Sequence, residues 1–584
     1  MAGSSTREVI TLQFGHYSNF VGTHWWNIQE SSFCYDPNAS FQQEINHDVL
    51  FREGLTLLGE QTYTPRLLMF DLKGSLKNLP RYGTLYQNPS CSNEAAWSGK
   101  ISVHETGPEP KNEFQMDLEA EEPQTTETVV TDNRTFDRDS ETLDPDSNSG
   151  VTEDNKNLRE KYYNLDEDIS VWSDFLGTCL HPKSIQLAGN FLHEGSANPF
   201  NVFGYGQSIV KDEHFYDELE NNLHFFVEEC DRLQGFQIFA DVYNGFGGLS
   251  SQIIEELRDD YGSKSFLTFG VTPTQFPDGT HKDTAHRILN SALSYGHLSQ
   301  NSDMFIPLSL ASEAWPRMRQ AREFPLLTYK PALSYHTSAI LGVCVDTITM
   351  SYRLLTPQVA NMSSFIDSVA FGGRKIASLS STFPLPVEET VPLASLLGSR
   401  LHRSGQELLQ FLTPGVSNSS SLISQSAVIR GIPSSLTHNP QRNVQTQNPS
   451  QHENPFEVCS ATNEMVQTFL QNLHPQTSPL CWNVNQACMV KPPFPNIFAS
   501  RVTSDGFVVE GYARPEGRRV NQTSVLSRVE SNSGIAGMLL SLIQWAKKVN
   551  INKHHLFLES GTEAETFKEM LEDLTCLSER YENP

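Results

Sequence analysis

Positive charge is what this sequence has least of: 42 Lys and Arg stand against 69 Asp and Glu in 584 residues, a formal net charge of -27. Phosphate backbones and anionic bilayers are held by clustered Lys and Arg, so the balance excludes a nucleic-acid binder and disfavours direct docking on anionic lipid. No run is long and apolar enough to span a bilayer. The first dozen residues lack the apolar stretch of a secretory signal and read directly into a strand. The nine cysteines include no CxxC pair, and Cys481 and Cys488 are spaced for neither zinc nor redox work, which predicts reduced thiols and no metal centre. GxxxxGKS/T, GxGxxG and GxSxG are also missing, so the P-loop, the dinucleotide fingerprint and the nucleophile elbow do not apply.

What is present suffices for two packed lobes, since 38% of the residues are hydrophobic and the chain is too long for one ordinary core. About half of the net negative charge is concentrated in residues 105–168, which hold 20 acidic against 6 basic side chains. Apolar periodicity disappears over 89–164, a composition that buries too little surface to offset ordering entropy, so an acidic disordered insertion is expected there. Around it, strands are expected over 9–14, 67–71, 235–240 and 265–271. Helices are expected over 19–30, from 213 to about 230, and over 250–261. Strands alternating with helices imply a parallel sheet. Residues 376–495 read as a loop-rich divergent region, with long loops around one helix over 380–460, and 496–584 regain a strand at 507–513 and a helix at 535–549.

Three loops would share the carboxyl edge of that sheet, at residues 15–19, 71–75 and 244–251. Ligands of open α/β sheets sit at this edge. Glycines such as Gly245, Gly247 and Gly248 let backbone N–H groups approach a phosphate, and a following helix offers its positive end. An isolated glycine-rich loop can equally be a plain strand-to-helix turn. His24, Trp25 and Trp26 could form a partner-binding patch, but on a helix following the first strand at least one Trp is expected in the core. Asp241 is read as a turn cap, and His554 and His555 as part of an ordinary strand or loop.

The segment QFGHYSNFVG resembles the start of tubulin, keeping Gln13, Gly15, Asn19 and Gly22 of its QxGxxxNxxG pattern. Pro65, Arg66, Asp71 and Leu72 are similar to tubulin's PRxxxxDLEP, and CDRLQGFQ at 230–237 is the nearest match. Asn290 opens NSALS, which resembles the segment whose asparagine contacts guanine. The resemblance implies an α/β fold: a tubulin-like, parallel-sheet, nucleotide-binding-type domain followed by a divergent α+β second domain. It also implies a vestigial site for GTP or GDP at Gln13, Gly15, Asn19, Asp71, Gly245, Gly247, Gly248 and Asn290.

The departures point away from catalysis. Lys73 stands where tubulin has a metal-supporting carboxylate, Phe246 interrupts the phosphate loop, and MFIP at 304–307 lacks a second guanine-contacting asparagine. No loop resembles the one that carries tubulin's catalytic acid, so GTP hydrolysis is not expected.

With the acidic insertion and the length, the chain is similar to the Misato family. The family resemblance implies mitochondrial distribution, morphology and network fusion as the role, protein partners at the outer membrane, cytoskeleton or chaperones, and a location in the cytoplasm and peripherally on the outer membrane. Its expected division is 1–88, the insertion 89–164, 165–375, 376–495 and 496–584.

Overall fold

The computed structural model describes residues 7–33, 43–55, 59, 61–79, 109–121, 163–193, 195, 198–277, 279–313, 315, 320–355, 360–402, 408–417, 420–437 and 455–582. The first lobe runs β1 (Val9–Phe14), α1 (His16–Ser31), β2 (Phe51–Leu55), β3 (Gln61–Pro65), β4 (Leu67–Lys73), α2 (Glu113–Glu121), β5 (Ile185–Leu192), α3 (Phe203–Val210), α4 (Glu213–Glu228), β6 (Gly235–Asp241), α5 (Gly245–Asp260), β7 (Ser265–Val271), α6 (His281–Asn301) and β8 (Met304–Leu308). Six of these strands form one sheet in the order β5-β4-β1-β6-β7-β8, with every neighbouring pair parallel. β2 and β3 make a separate antiparallel hairpin. The tubulin-like α/β expectation holds for this lobe.

β1, β6 and β7 are buried along their whole length, as parallel strands covered on both faces must be. The period-two alternation of β4 sends Leu67 and Met69 into one core and Leu68 and Phe70 into the other. The first core holds α1 with Trp25 and Trp26, both buried. The second holds α3, α4, α5 and α6.

The rest of the chain runs α7 (Ser334–Thr349), α8 (Met362–Val369), β9 (Ser378–Thr382), α9 (Leu393–His402), β10 (Gln410–Phe411), β11 (Leu422–Arg430), α10 (Ser434–Thr437), α11 (Thr462–Leu473), β12 (Leu480–Val484), β13 (Cys488–Met489), β14 (Gln522–Thr523), β15 (Val525–Asn532), α12 (Gly534–Lys548), α13 (His555–Glu559) and α14 (Ala564–Glu582). A second sheet has the order β10-β9-β15-β11-β12. Its pairs are antiparallel except β11 with β12. α7 lies between the two sheets, packing on α1 and β15, and every residue from 335 to 349 is buried. Asp346 on α7 bonds to Arg353 at 2.9 Å and to Arg430 of β11, all three side chains being fully buried.

Three expectations need correcting. Residues 376–495 are not a loop-rich region, because they supply four of the five strands of the second sheet. The 507–513 stretch contains no strand. The strand lies at β15, whose serine-rich partner β9 is buried through bonds such as Ser381 Oγ to Leu526 O at 3.0 Å, a pattern that apolar periodicity does not reveal. Within the acidic insertion, α2 is ordered: Phe114 is buried against the first core, and Asn112 Nδ2 donates to Asp174 O at 2.7 Å. One aromatic anchor and a few backbone bonds outweigh the acidic composition there. The rest of the insertion, 89–108 and 122–162, lies outside the described residues.

The five-part division of the sequence is also not a division of the fold. β15 joins the second sheet, while α12 and α14 return to pack on α6 of the first lobe. Tyr581 Oη there bonds both the N–H and the carbonyl of Ile376 at 2.8 Å.

Candidate functional site

β1 enters α1 through Gly15, whose φ of +108° lies in the region that favours glycine. The first N–H groups of any helix lack intrahelical partners and carry partial positive charge. Here they meet a carboxylate from the end of β6: Ser18 N and Ser18 Oγ donate to Asp241 Oδ1, each at 2.8 Å, and Tyr17 N donates to Asp241 Oδ2 at 3.2 Å. Tyr243 Oη adds a further bond at 3.2 Å. Asp241 is fully buried. Burial pushes its carboxyl up to about 6, with the Ser18 and Tyr17 bonds pulling the other way. Asp241 is therefore a cap, as expected, but of a helix far away in sequence rather than of its own turn.

Asp71 occupies the matching position at the end of β4. Its Oδ2 accepts from Trp172 Nε1 at 2.7 Å and from Asn19 Nδ2 at 3.1 Å, with His16 Nδ1 at 3.3 Å. Its Oδ1 accepts from Leu72 N at 2.7 Å. Burial works to raise this carboxyl, and the bonds to His16, Leu72 and Trp172 hold it below the usual carboxylate range. Lys73 follows, exposed. Gln13 sits back inside the sheet against Gly22, where an added β-carbon would lie 2.1 Å from its Nε2.

The 244–248 segment is not a loop. α5 begins at Gly245, and Asn244 caps it by accepting from Phe246 N at 2.9 Å. Gly245 N donates to Phe200 O at 3.1 Å. The glycines serve packing: an added β-carbon would lie 1.8 Å from Phe203 O at Gly248 and 2.0 Å from Ser294 Oγ at Gly247. Gly248 lets α3 approach α5 at close range, and Gly247 does the same for α6. Asn290 is fully buried. Its Oδ1 accepts from Phe203 N at 2.8 Å, and its Nδ2 donates to Asn201 O and Tyr243 O at 2.9 and 3.0 Å.

The sheet edge thus brings Gly15, Asn19 and Asp71 together and ties Asn290 to Gly245 through the 198–203 segment. The groups a guanine nucleotide would need are a free helix N-terminus, a pliable glycine loop and an unengaged asparagine amide. In this arrangement both helix N-termini and the Asn290 amide are bonded to the chain's own atoms, whereas Gln13 Nε2, Gln13 Oε1 and Asn19 Oδ1 are buried without a partner among the described residues, so the residues that would meet phosphate and base do not fit that ligand as they stand. A cavity of about 80 Å³ lined by Tyr243, Phe276, Arg287, Ser291 and Trp315 lies beside β6 and β7, well below the roughly 300–1,000 Å³ of ordinary ligand pockets.

Sequence reasoning missed Trp172, His16 and His193 at this edge. The only signal for Trp172 was an aromatic pair, VWSDF, closing the acidic run. His193 had none.

Among the described residues no helix is long and apolar enough to cross a membrane. The Misato Segment II tubulin-like domain family matches residues 7–120, and the Tubulin domain family matches residues 164–354. Protein misato homolog 1 of Bos taurus is 35% identical over 584 residues, covering 100% of this chain and 99% of the relative. Protein misato of Drosophila melanogaster is 30% identical over 587 residues, covering 99% and 98%. Protein DML1 of Phaeosphaeria nodorum is 29% identical over 424 residues, covering 69% and 72%. With full-length relatives at 30% and 35% identity and a tubulin-like sheet in place, this chain belongs to the Misato family of tubulin-like proteins.

Proposed function

We propose that this chain is a non-polymerising tubulin-like scaffold that works without nucleotide turnover. It regulates mitochondrial distribution, morphology and network fusion through protein contacts at the cytosolic face of the outer membrane. The observation that carries the first part is the Asp241 carboxylate bonded to the N–H groups of Tyr17 and Ser18. Phosphoryl transfer is almost entirely positioning and charge stabilisation, and an anion already seated at the helix end opposes a second one. GTP hydrolysis should therefore stay near background. The mitochondrial part rests on the family resemblance, and the net charge of -27 favours a protein receptor over anionic lipid.

Protease added to intact mitochondria should degrade the bound pool, and carbonate washing should release it. Depletion should fragment or cluster the mitochondrial network before microtubules change. A protease-protected, carbonate-resistant protein would contradict the placement. Early loss of tubulin folding or spindle order would favour a tubulin-folding or microtubule-associated factor instead, and filaments assembled with GTP would favour a working GTPase.

A further inference from the structure

Beside Asp241, three side chains from three elements converge in a way that the scaffold reading does not use. His16 opens α1, Asp71 lies near the end of β4, and His193 directly follows β5. Their ligand-type atoms, one per residue, all lie within 4.8 Å of one another. The two imidazole rings have centroids 4.0 Å apart, and His16 Nδ1 stands 3.3 Å from Asp71 Oδ2. Two ligands of one tetrahedral ion with bonds of about 2.0–2.1 Å are separated by about that distance.

The surroundings are built. Asp71 is almost wholly buried, and its carboxylate is fixed by Trp172, Asn19 and the Leu72 N–H, the kind of outer support that orients metal ligands. His193 is placed by a register shift between β4 and β5, after which Lys73 pairs with Leu192 and His193 N donates to Lys73 O at 2.9 Å. Such bulges re-aim side chains at the rims of sheets. His16 remains 23% exposed and His193 is half-buried, so the outward side of the cluster is accessible to solvent.

Charge favours a cation as well. Asp71 and Asp241 flank residue 16 from adjacent elements, both buried, and among the described residues neither forms an ion pair with Lys or Arg. Buried carboxylates need a compensating charge, and two imidazoles with one carboxylate suit a borderline-soft divalent ion.

We propose that His16, Asp71 and His193 form a zinc site with its fourth position open to solvent, pinning the end of β5 to the start of α1. It does not depend on the scaffold reading. The sequence expectation of no metal centre could not have found it, because the ligands are spread over three distant segments.

The test uses the full chain, purified without a histidine tag or chelator and dialysed against Zn²⁺, with bound metal counted by mass spectrometry. The wild type should hold one zinc, and cobalt in its place should give tetrahedral visible bands. His193→Ala should lose that zinc and those bands while unfolding at the wild-type midpoint in EDTA. Trp172→Phe should keep the site but weaken it by roughly 10–100-fold, as loss of outer support does. Absence of stoichiometric zinc from the wild type, or an unchanged zinc content in folded His193→Ala and His16→Gln, would overturn the proposal and leave a hydrogen-bonded His–Asp pair under a second ring.

Discussion

A β-carbon on Gly15 would stand 2.5 Å from the carboxylate carbon of Asp241. The close approach that places an anion on the helix end thus needs a residue with no side chain, at a φ of +108° that others avoid. Gly15→Ala should cost about 2–4 kcal/mol, combining backbone strain with overpacking. A urea-midpoint change equivalent to less than about 0.5 kcal/mol would mean that Asp241 does not sit there.

Removing the carboxylate tests the same contact from the other side. Asp241→Ala leaves the N–H groups of Tyr17 and Ser18 buried without their acceptor, at about 1–3 kcal/mol for each unsatisfied group. Asp241→Asn keeps one acceptor oxygen and should lose less. Inorganic phosphate should raise the melting midpoint of Asp241→Ala but leave the wild type unmoved, because only the variant frees the helix end for an anion.

The two sheets are tied through Asp346, which is held between Arg353 and Arg430 with no solvent contact. Asp346→Asn strands two buried guanidinium groups and should destabilise by about 3–5 kcal/mol. Chemical denaturation measures it, and a near-neutral outcome would show that water reaches this layer.

Phe114 tests the order found within the acidic segment. It is buried against the first core, and its ring meets Tyr163 edge-on at 5.8 Å. Phe114→Ala should cost about 3 kcal/mol, the lower end for such truncations. An unchanged midpoint would restore the expectation of an insertion without packing.

Acid should weaken the fold by forcing a proton onto His24, in a window that overlaps the titration of the Asp241 carboxyl. His24 donates from Nε2 to Tyr335 O at 2.9 Å, and burial holds it down from 6.5 to about 3. The unfolded chain therefore binds a proton near pH 6.5 that the folded chain refuses until about pH 3. Stability present above that window is lost on descending through it, at up to about 1.4 kcal/mol per pH unit. His24→Phe should flatten the slope by about one proton between about pH 7 and pH 5, and a slope identical to wild type would show that His24 charges freely in the fold.

The first sheet was legible because its strands are buried on both faces, so β1 and β7 read as mainly apolar runs with the same ends in sequence and structure. β9 and β11 were not, because SLSST and LISQSAVIR bury serines instead of alternating apolar and polar, those of β9 being satisfied across the sheet, as between Ser381 and Ser527. Gly245, Gly247 and Gly248 suggested a loop by glycine's low helix propensity, yet they open α5, packed closely against Phe200, Ser294 and Phe203. The site was legible only in pieces. Gly15, Asp71 and Asn290 were named from the resemblance, but their partners Asp241, Trp172 and Phe203 lie far away in sequence, and no local pattern announces such pairs.

Whether the chain's own side chains have replaced the nucleotide is decided most directly by denaturing the freshly purified full-length protein and quantifying released guanine nucleotide by mass spectrometry. With Asp241 on α1 and Asn290 committed to Phe203, the wild type should release GTP and GDP far below one per chain, with no increase after incubation with GTP and magnesium. Close to one guanine nucleotide per chain would contradict it and would require Asp241 to leave the helix end.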